Sequence, residues 1–497
     1  MSEQDRTSAP TDNGDPFEHA PMDRLRAYMM LCFVGYTVFL FAMGVRFDVS
    51  PLETFAHYAD PELLRTRLFE TCLHLHIQPP LYNLAIGIVL KLFSGFHAPV
   101  FYAIFIATGL ALSLMLFALM VRLGVSKKLS FVLTFLFVCS PSFVLYEHLL
   151  LYTLHCAALL VAAALLLHVF LSEKRAWAGW GFFAALFLLG GIQPMYHLVY
   201  YLAIAAGLLI HLRPFRRRHL AMALLPGLLL FSFYLKNYVL FGQFTTMSSF
   251  GKGPWIKTVG NLPWKERVRL AEEGKISAVS LVDRSWAIDF YPPEIREVKG
   301  YENIPALREK NKSTGEVNHN HLSQIRISKC YLQDAMYAIR HYPRTFLCST
   351  AWAALAFYSP NHVGVPSLDW LNALYDRVVY GKINVPLSQY LPWLGASKHV
   401  PYVFLLIGWP ALFVYGAWRA RRGGGAERGV LLFMLFTIFH VTASGILFGL
   451  TEANRDRFEI DSFHIVLLAV FLQSVVLPWW QRVMQPVDIP ESPDVVQ

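Results

Sequence analysis

The sequence predicts an all-α polytopic membrane protein, and three observations carry that prediction. The 497-residue chain is 55% hydrophobic and only 15% charged, where soluble globular chains run at roughly 45–50% apolar and about 25% charged. Its apolar residues gather in long runs separated by basic clusters, and the mean hydropathy is +0.41. The alternating apolar and polar strands of an outer-membrane barrel are absent from the sequence. Six cysteines in 497 residues are too few for a disulfide framework. The net charge of +9 does not imply a nucleic-acid partner, because basic residues concentrate in short loops, where they set membrane orientation.

The elements follow in order. Residues 1–22 are polar and rich in Pro, Asp, Ser and Thr, which predicts a disordered cytoplasmic tail. The first apolar run, Ala27–Val45, is about long enough to span. No small-residue cleavage site follows it, which predicts a retained anchor. Further spans are predicted at 99–121, 129–146, 150–171, 176–191, 195–212, 220–241, 400–418, 429–449 and 458–479, making ten with the first. Two shorter apolar segments, 80–93 and 345–358, widen the range to twelve.

Loop charge decides between these counts. Basic clusters stand at Arg122/Lys127/Lys128, Lys174/Arg175, Arg213/Arg216/Arg217/Arg218 and Arg419/Arg421/Arg422/Arg428, against two acids, Glu173 and Glu427. All four fall on one side only if 80–93 and 345–358 do not cross, which predicts both to be juxtamembrane or re-entrant. Both termini are then cytoplasmic, in a multi-pass protein of the cell membrane (the inner membrane of a bacterium). The chain divides into the tail 1–22, a transmembrane module 23–242 with outer loop 46–79, an exoplasmic and juxtamembrane segment 243–399, C-terminal transmembrane helices 400–480 and a cytoplasmic tail 481–497. The stretch 243–343 has mixed charge, Pro and Gly and reads as soluble.

Ionisable groups at a membrane edge are costly and mark function by default. On this topology they collect on the outer face. Loop 46–79 holds Asp48, Glu53, Asp60, Glu62 and Glu70 with His57, His74 and His76. Asp60 caps an amphipathic stretch whose Leu63, Leu64, Leu68 and Cys72 recur at helical spacing, predicting juxtamembrane helices along the interface. The loop ends in Gln78-Pro79-Pro80-Leu81, where two prolines stop a helix and set the turn into the next segment.

Asp48 and, thirty positions on, Gln78-Pro79-Pro80-Leu81 resemble the GT-C class of membrane glycosyltransferases. The nearest branches are the protein O-mannosyltransferases and lipid A aminoarabinose transferases, which carry HPPL or KPPL there. Pro141–Glu147 resembles the outer turn in which that class places a second acid. Lys236–Phe244 resembles its R-N-Y-x-x-F-G-x-F stretch, and Glu452–Phe458 resembles the E-x-x-R element that begins its last span. The resemblance runs from residue 46 to about 479. Two departures matter: Val49 stands where a second adjacent acid is usual, and Gln78 replaces Lys or His. A neutral amide hydrogen-bonds phosphate without supplying charge, which leaves His76, Lys252, Arg455 and Arg457 beside Gln78 as candidate phosphate ligands.

The resemblance implies an integral membrane glycosyltransferase that moves a sugar from a polyprenyl-phosphate donor to a glycan, lipid or protein acceptor on the outer face, with inversion. Asp48 is the candidate base by spacing; alternatively it is solvated or caps the Ser50 or Glu53 amide. Glu147, beside His148, is the second candidate carboxylate; its bland role is an interface anchor. Such carboxylates with a histidine could hold Mg²⁺ or Mn²⁺, but no spacing here is specific to a metal. Arg455 and Arg457 either snorkel to headgroups or bind phosphate. Gln193–His197 breaks an outer hairpin, as a turn or as part of an acceptor site. Gly251-Lys252-Gly253-Pro254-Trp255 is flexible and cationic. Asn318–His321 is expected to be ordinary polar surface rather than a metal site. Cys139 and Cys156 are expected to pack in the membrane, while Cys72 and Cys330 could face an oxidising compartment and pair. Asn311-Lys312-Ser313 is a formal glycosylation sequon. There is no G-x-S-x-G and no P-loop. The competing reading is a transporter or lipid flippase, which predicts repeated halves and midplane polar sites.

Overall fold

The computed structural model describes residues 20–212, 216–282, 287–384, 401–449 and 453–484. Residues 1–19 of the expected tail 1–22, residues 485–497 of the expected tail 481–497, and Glu452 lie outside the described residues. Of the described residues 75% are helical, and among them β-pairing is limited to three isolated bridges.

In chain order, α1 (Met22–Ala42) leads into the first loop, which folds into short helices at Pro61–Thr66 and Leu68–Leu73. Then come α2 (Leu81–Leu92), α3 (His97–Arg122), α4 (Lys127–Val138), α5 (Pro141–Glu147), α6 (Thr153–Glu173), α7 (Ala176–Ile192), α8 (Leu198–His211) and α9 (Arg217–Phe241). The polar segment contributes α10 (Lys252–Lys257), α11 (Ser323–His341) and α12 (Pro343–Phe357). The C-terminal part holds α13 (Trp409–Arg422), α14 (Gly425–Phe448), α15 (Ala453–Phe471) and α16 (Leu477–Met484).

Among the described residues, six helical runs are long and apolar enough to cross a membrane: α1, α3, α6, α9, α14 and the continuous run Ala453–Met484. The pair α4–α5 makes a seventh if its two halves form one span. The chain is therefore an all-α multi-pass membrane protein. The first helix lies a few residues earlier than the run 27–45 expected, and the expected straight span 129–146 is bent by 62°. Pro141 causes the bend: it has no N–H to continue α4 and sits in the first turn of α5, which Ser140 caps by accepting from the Phe143 N–H at 3.3 Å.

Contacts sort the helix ends into two groups. At one end Arg122 and Arg175 both pair with Glu173 at 2.8 Å. His219 packs on Phe170, Arg419 pairs with Glu427 at 2.7 Å, and the Ser126 N–H donates to Gln473 at 3.1 Å. The described members of all four basic clusters thus lie on elements that share one end. The first loop, the turn after α5, the turn after α7 and the start of α15 meet at the other, polar end. α2 has 12 residues, about 18 Å of helix, against a hydrocarbon core of about 30 Å. It lies on the short helices of the first loop, and a Cβ on Gly87 would come within 2.2 Å of Leu68 Cδ1. α12 is 15 residues long; Ser349 accepts from Asn261 of the polar segment, and Phe357 packs on Gly445. Both segments belong to the polar end.

α6 is central, packed against α3, α7, α14 and α15. Its buried alanines, among them Ala157, Ala163 and Ala164, allow the close approach that drives helix association in lipid. The polar segment has its own apolar cluster, with Trp255 stacked on Tyr331 at 4.5 Å. Two expectations are corrected here. All six cysteines are free: Cys72 belongs to the main core, while Cys330 packs against the separate cluster of the polar segment. Asn318, Asn320 and His321 are buried rather than surface residues, because they tie the polar segment together and to the first loop.

Candidate functional site at the polar end

The first loop is held to the turn after α5 by its backbone. The Asp48 N–H donates to the His148 carbonyl at 2.7 Å, and the Leu150 N–H donates to the Asp48 carbonyl at 2.9 Å. Asp48 is exposed, and its Oδ1 accepts from the Ser50 N–H at 2.8 Å. The Tyr58 hydroxyl donates to the Leu150 carbonyl at 3.0 Å. Rings of Phe55, Tyr58, Tyr82 and Tyr152 then build an aromatic wall, with Phe55 4.9 Å from Tyr58 and Tyr82 5.7 Å from Tyr152.

Cations from three distant segments converge beside this wall. The Arg455 guanidinium lies 5.4 Å from the Phe55 ring and 5.8 Å from Tyr152. Burial, then the positive charges of Arg455, Lys252 and Lys312, push the His57 imidazole down to about 3. Its Nδ1 has no hydrogen-bond partner. Lys252 Nζ lies 3.3 Å from His319 Nδ1. Lys312 Nζ donates to the Phe55 carbonyl at 2.9 Å, and burial pushes it down to about 8. The sequon residue Lys312 is thus buried. The uncharged imidazole thus stands among three cations, of which Arg455 lies 3.8 Å from Asp456 and Lys312 faces Asp60 and Glu316.

Lys252 owes its place to Gly251. The Gly251 N–H donates to Ser328 Oγ at 3.0 Å, and a Cβ there would lie 1.9 Å from the Ser328 carbonyl oxygen. Neither α10 nor α11 can move aside cheaply, since the clash is with backbone. Gly251→Ala is expected to destabilise the protein by about 1–3 kcal/mol, read as a lowered thermal unfolding midpoint in detergent. Gly274→Ala, with nothing within 4 Å of the added Cβ but a φ of +66°, is expected to cost only about 1 kcal/mol.

The other sequence-predicted residues are placed differently. His76 is buried with both ring nitrogens engaged, Nδ1 with Ser248 Oγ at 2.6 Å and Nε2 with the Asn320 carbonyl at 2.9 Å. It clamps the first loop to the polar segment. Burial pushes its pKa down to about 3, so below the ordinary value of about 6.5 the unfolded chain takes up a proton that the folded chain refuses. Stability is full above pH 6.5 and falls by about 1.4 kcal/mol per pH unit from there towards pH 3. A His76→Gln variant is expected to show a shallower acid limb in pH-dependent unfolding. Gln78 is buried and donates to the Ile192 carbonyl at 3.1 Å. Asp60 caps its helix through the Glu62 N–H and also accepts from the Ser313 N–H at 2.7 Å. The Glu147 backbone is next to the Asp48 pairing, but its carboxylate turns into the bundle. Oε1 lies 2.2 Å from where a Cβ on Gly109 would be, and neither oxygen has a hydrogen-bond partner. Arg457 is 0% exposed, 3.4 Å from Asp461. The structure therefore brings Asp48, Lys252 and Arg455 to one end of the bundle. It turns Glu147 and Arg457 inward and engages His76 and Gln78 in tying loops together.

Sequence reasoning passed over the polar stripe of α15. Glu459 is fully buried, accepting from the Tyr196 hydroxyl at 2.6 Å. The Gln193 amide, oriented with its nitrogen towards the acid, donates to both carboxylate oxygens at 2.7 and 2.9 Å. Asp456 and Asp461 are buried on the same helix. The signal was present as Arg455/Glu459 and Arg457/Asp461, two opposite-charge pairs at i,i+4 where an apolar span begins. His57 carried no comparable signal.

A polar cavity of about 460 Å³ is lined by His362, Asp369, Asp376, Arg377 and Lys382. Buried Asp376 accepts from Lys382 Nζ at 2.8 Å and lies 2.8 Å from His362 Nε2. Asn361 next door donates to the Asn454 carbonyl at 3.1 Å, which ties this cavity to the residue before Arg455. Among the described residues, no three His, Cys, Asp or Glu side chains gather as a metal site. No family model matches the chain, and no curated protein or solved structure matches it either.

Proposed function

We propose that the chain is a membrane glycosyltransferase that takes a sugar from a polyprenyl phosphate and passes it to an acceptor at the polar end of the bundle. That end is read as the outer face, with both termini cytoplasmic. The count of ten spans adds α7, α8 and α13 to the longer helices and the bent pair. Each runs between the two ends; α7, for example, starts beside the Arg175–Glu173 pair and ends where Gln78 binds the Ile192 carbonyl.

One observation carries the reading above all. Arg455 and Lys252 stand beside an aromatic wall and an uncharged His57, at the end of a greasy bundle and on the same loop system as Asp48. Arg455 and Lys252 are the phosphate ligands, and they hold the charge that grows on the leaving oxygen. The acceptor oxygen attacks the anomeric carbon as the carbon–oxygen bond to phosphate breaks. Asp48 receives the acceptor proton. Gln78 and His76 hold the loop in place. Glu147 faces away from this end, so Glu147→Gln is expected to slow transfer less than tenfold, measured with a lipid-linked sugar in membranes. The cavity around Asp376 and His362 suits a hydroxyl-rich acceptor.

Mass spectrometry of lipid-linked sugars and envelope glycans, with and without the protein, tests the proposal. Loss of the protein is expected to accumulate one polyprenyl-phosphate sugar and to remove that sugar from one glycan, lipid or protein. Unchanged pools would contradict it.

A further inference from the structure

A groove of about 390 Å³ runs between α13 and α14, remote from the polar end. Its mouth holds Arg421, in the last turn of α13, and Arg428, in the first turn of α14. Its floor is apolar, with Phe413, Leu432, Phe436 and Phe439 among the lining residues. The neighbouring arginines are already engaged: Arg419 pairs with Glu427 at 2.7 Å, and Arg422 lies 4.2 Å over Trp418. Arg421 and Arg428 are exposed and, among the described residues, have no ion-pair partner.

The dimensions identify what fits. From Arg428 to Phe439 α14 rises about 16 Å, close to one leaflet of a hydrocarbon core about 30 Å thick. The groove therefore starts where a phosphate headgroup sits and runs the depth of one acyl chain. Basic mouths between membrane helices are sites for anionic headgroups.

We propose that this groove binds one anionic glycerophospholipid, its phosphate between Arg421 and Arg428 and an acyl chain along Leu432, Phe436 and Phe439. The site lies at the opposite end from Arg455 and Asp48 and does not depend on the glycosyltransferase reading. A lipid wedged there ties α13 to α14 beyond their own contacts.

The test is native mass spectrometry of the purified full-length protein with added dioleoyl phosphatidylglycerol or dioleoyl phosphatidylcholine. Two arginines are expected to favour the anionic lipid by about thirtyfold. Arg421→Gln with Arg428→Gln should remove that preference, and the paired Lys substitutions should keep most of it. Leu432→Trp should expel lipid by filling the groove. Arg217→Gln with Arg218→Gln, in another basic cluster, should change nothing. Equal retention of both lipids, or a preference indifferent to Arg421 and Arg428, would overturn the proposal. So would displacement of phosphatidylglycerol by an equimolar polyprenyl phosphate, or a lipid-free dimer formed over this face.

Discussion

Asp48→Asn is expected to lower the turnover number for sugar transfer by about 10²–10⁴-fold, the range for loss of a general base, while changing KM for the lipid donor only a few-fold. The geometry makes this substitution clean. Asp48 contributes its backbone N–H and carbonyl to the pairing with His148 and Leu150, and its Oδ1 accepts from the Ser50 N–H. An Asn keeps all three contacts, because its side-chain carbonyl also accepts. It loses only the capacity to take a proton. The folded protein should therefore match the wild type in thermal unfolding while transfer collapses. Equal loss of stability and activity would mean that Asp48 acts only as a cap.

The second large effect concerns Arg457, which is 0% exposed, with Asp461 one helical turn away at 3.4 Å. None of the three guanidinium nitrogens has a hydrogen-bond partner. Removing one member of such a pair leaves a buried charge uncompensated, at a cost of about 3–5 kcal/mol. Arg457→Met is expected to destabilise by that amount in chemical unfolding of the detergent-solubilised protein. Arg457→Met with Asp461→Leu should recover most of the loss, since apolar replacement of a whole buried pair is neutral or favourable. The double variant also separates two roles. If Arg457 serves only the interior, transfer per folded molecule persists; if it binds phosphate, transfer is lost in a stable protein.

The membrane architecture was legible because a long apolar run has few fates. The basic clusters flanking 122–128, 173–175 and 419–428 pointed to one end, and their helix ends meet there. The shortness of α2 was equally readable. The bend at Pro141 was not, because a proline that opens a new helix reads like one that ends a span. Pairing of Asp48 with Leu149 links positions about a hundred residues apart, and no local pattern encodes it. Asn318 and Asn320 read as surface because polar residues mostly are; their burial follows from carbonyls of other segments that they satisfy. The acids of α15 were legible as i,i+4 partners of the arginines but were overshadowed by the reading of those arginines as membrane-edge anchors.

The most direct measurement uses proteoliposomes carrying the purified chain, a polyprenyl-phosphate-linked sugar and candidate acceptors, followed by mass spectrometry. The account predicts one polyprenyl phosphate released for each sugar joined to acceptor, with both products lost together in Asp48→Asn and in Arg455→Gln. Movement of the intact lipid-linked sugar between leaflets, with no release of polyprenyl phosphate, would contradict it and establish transport instead.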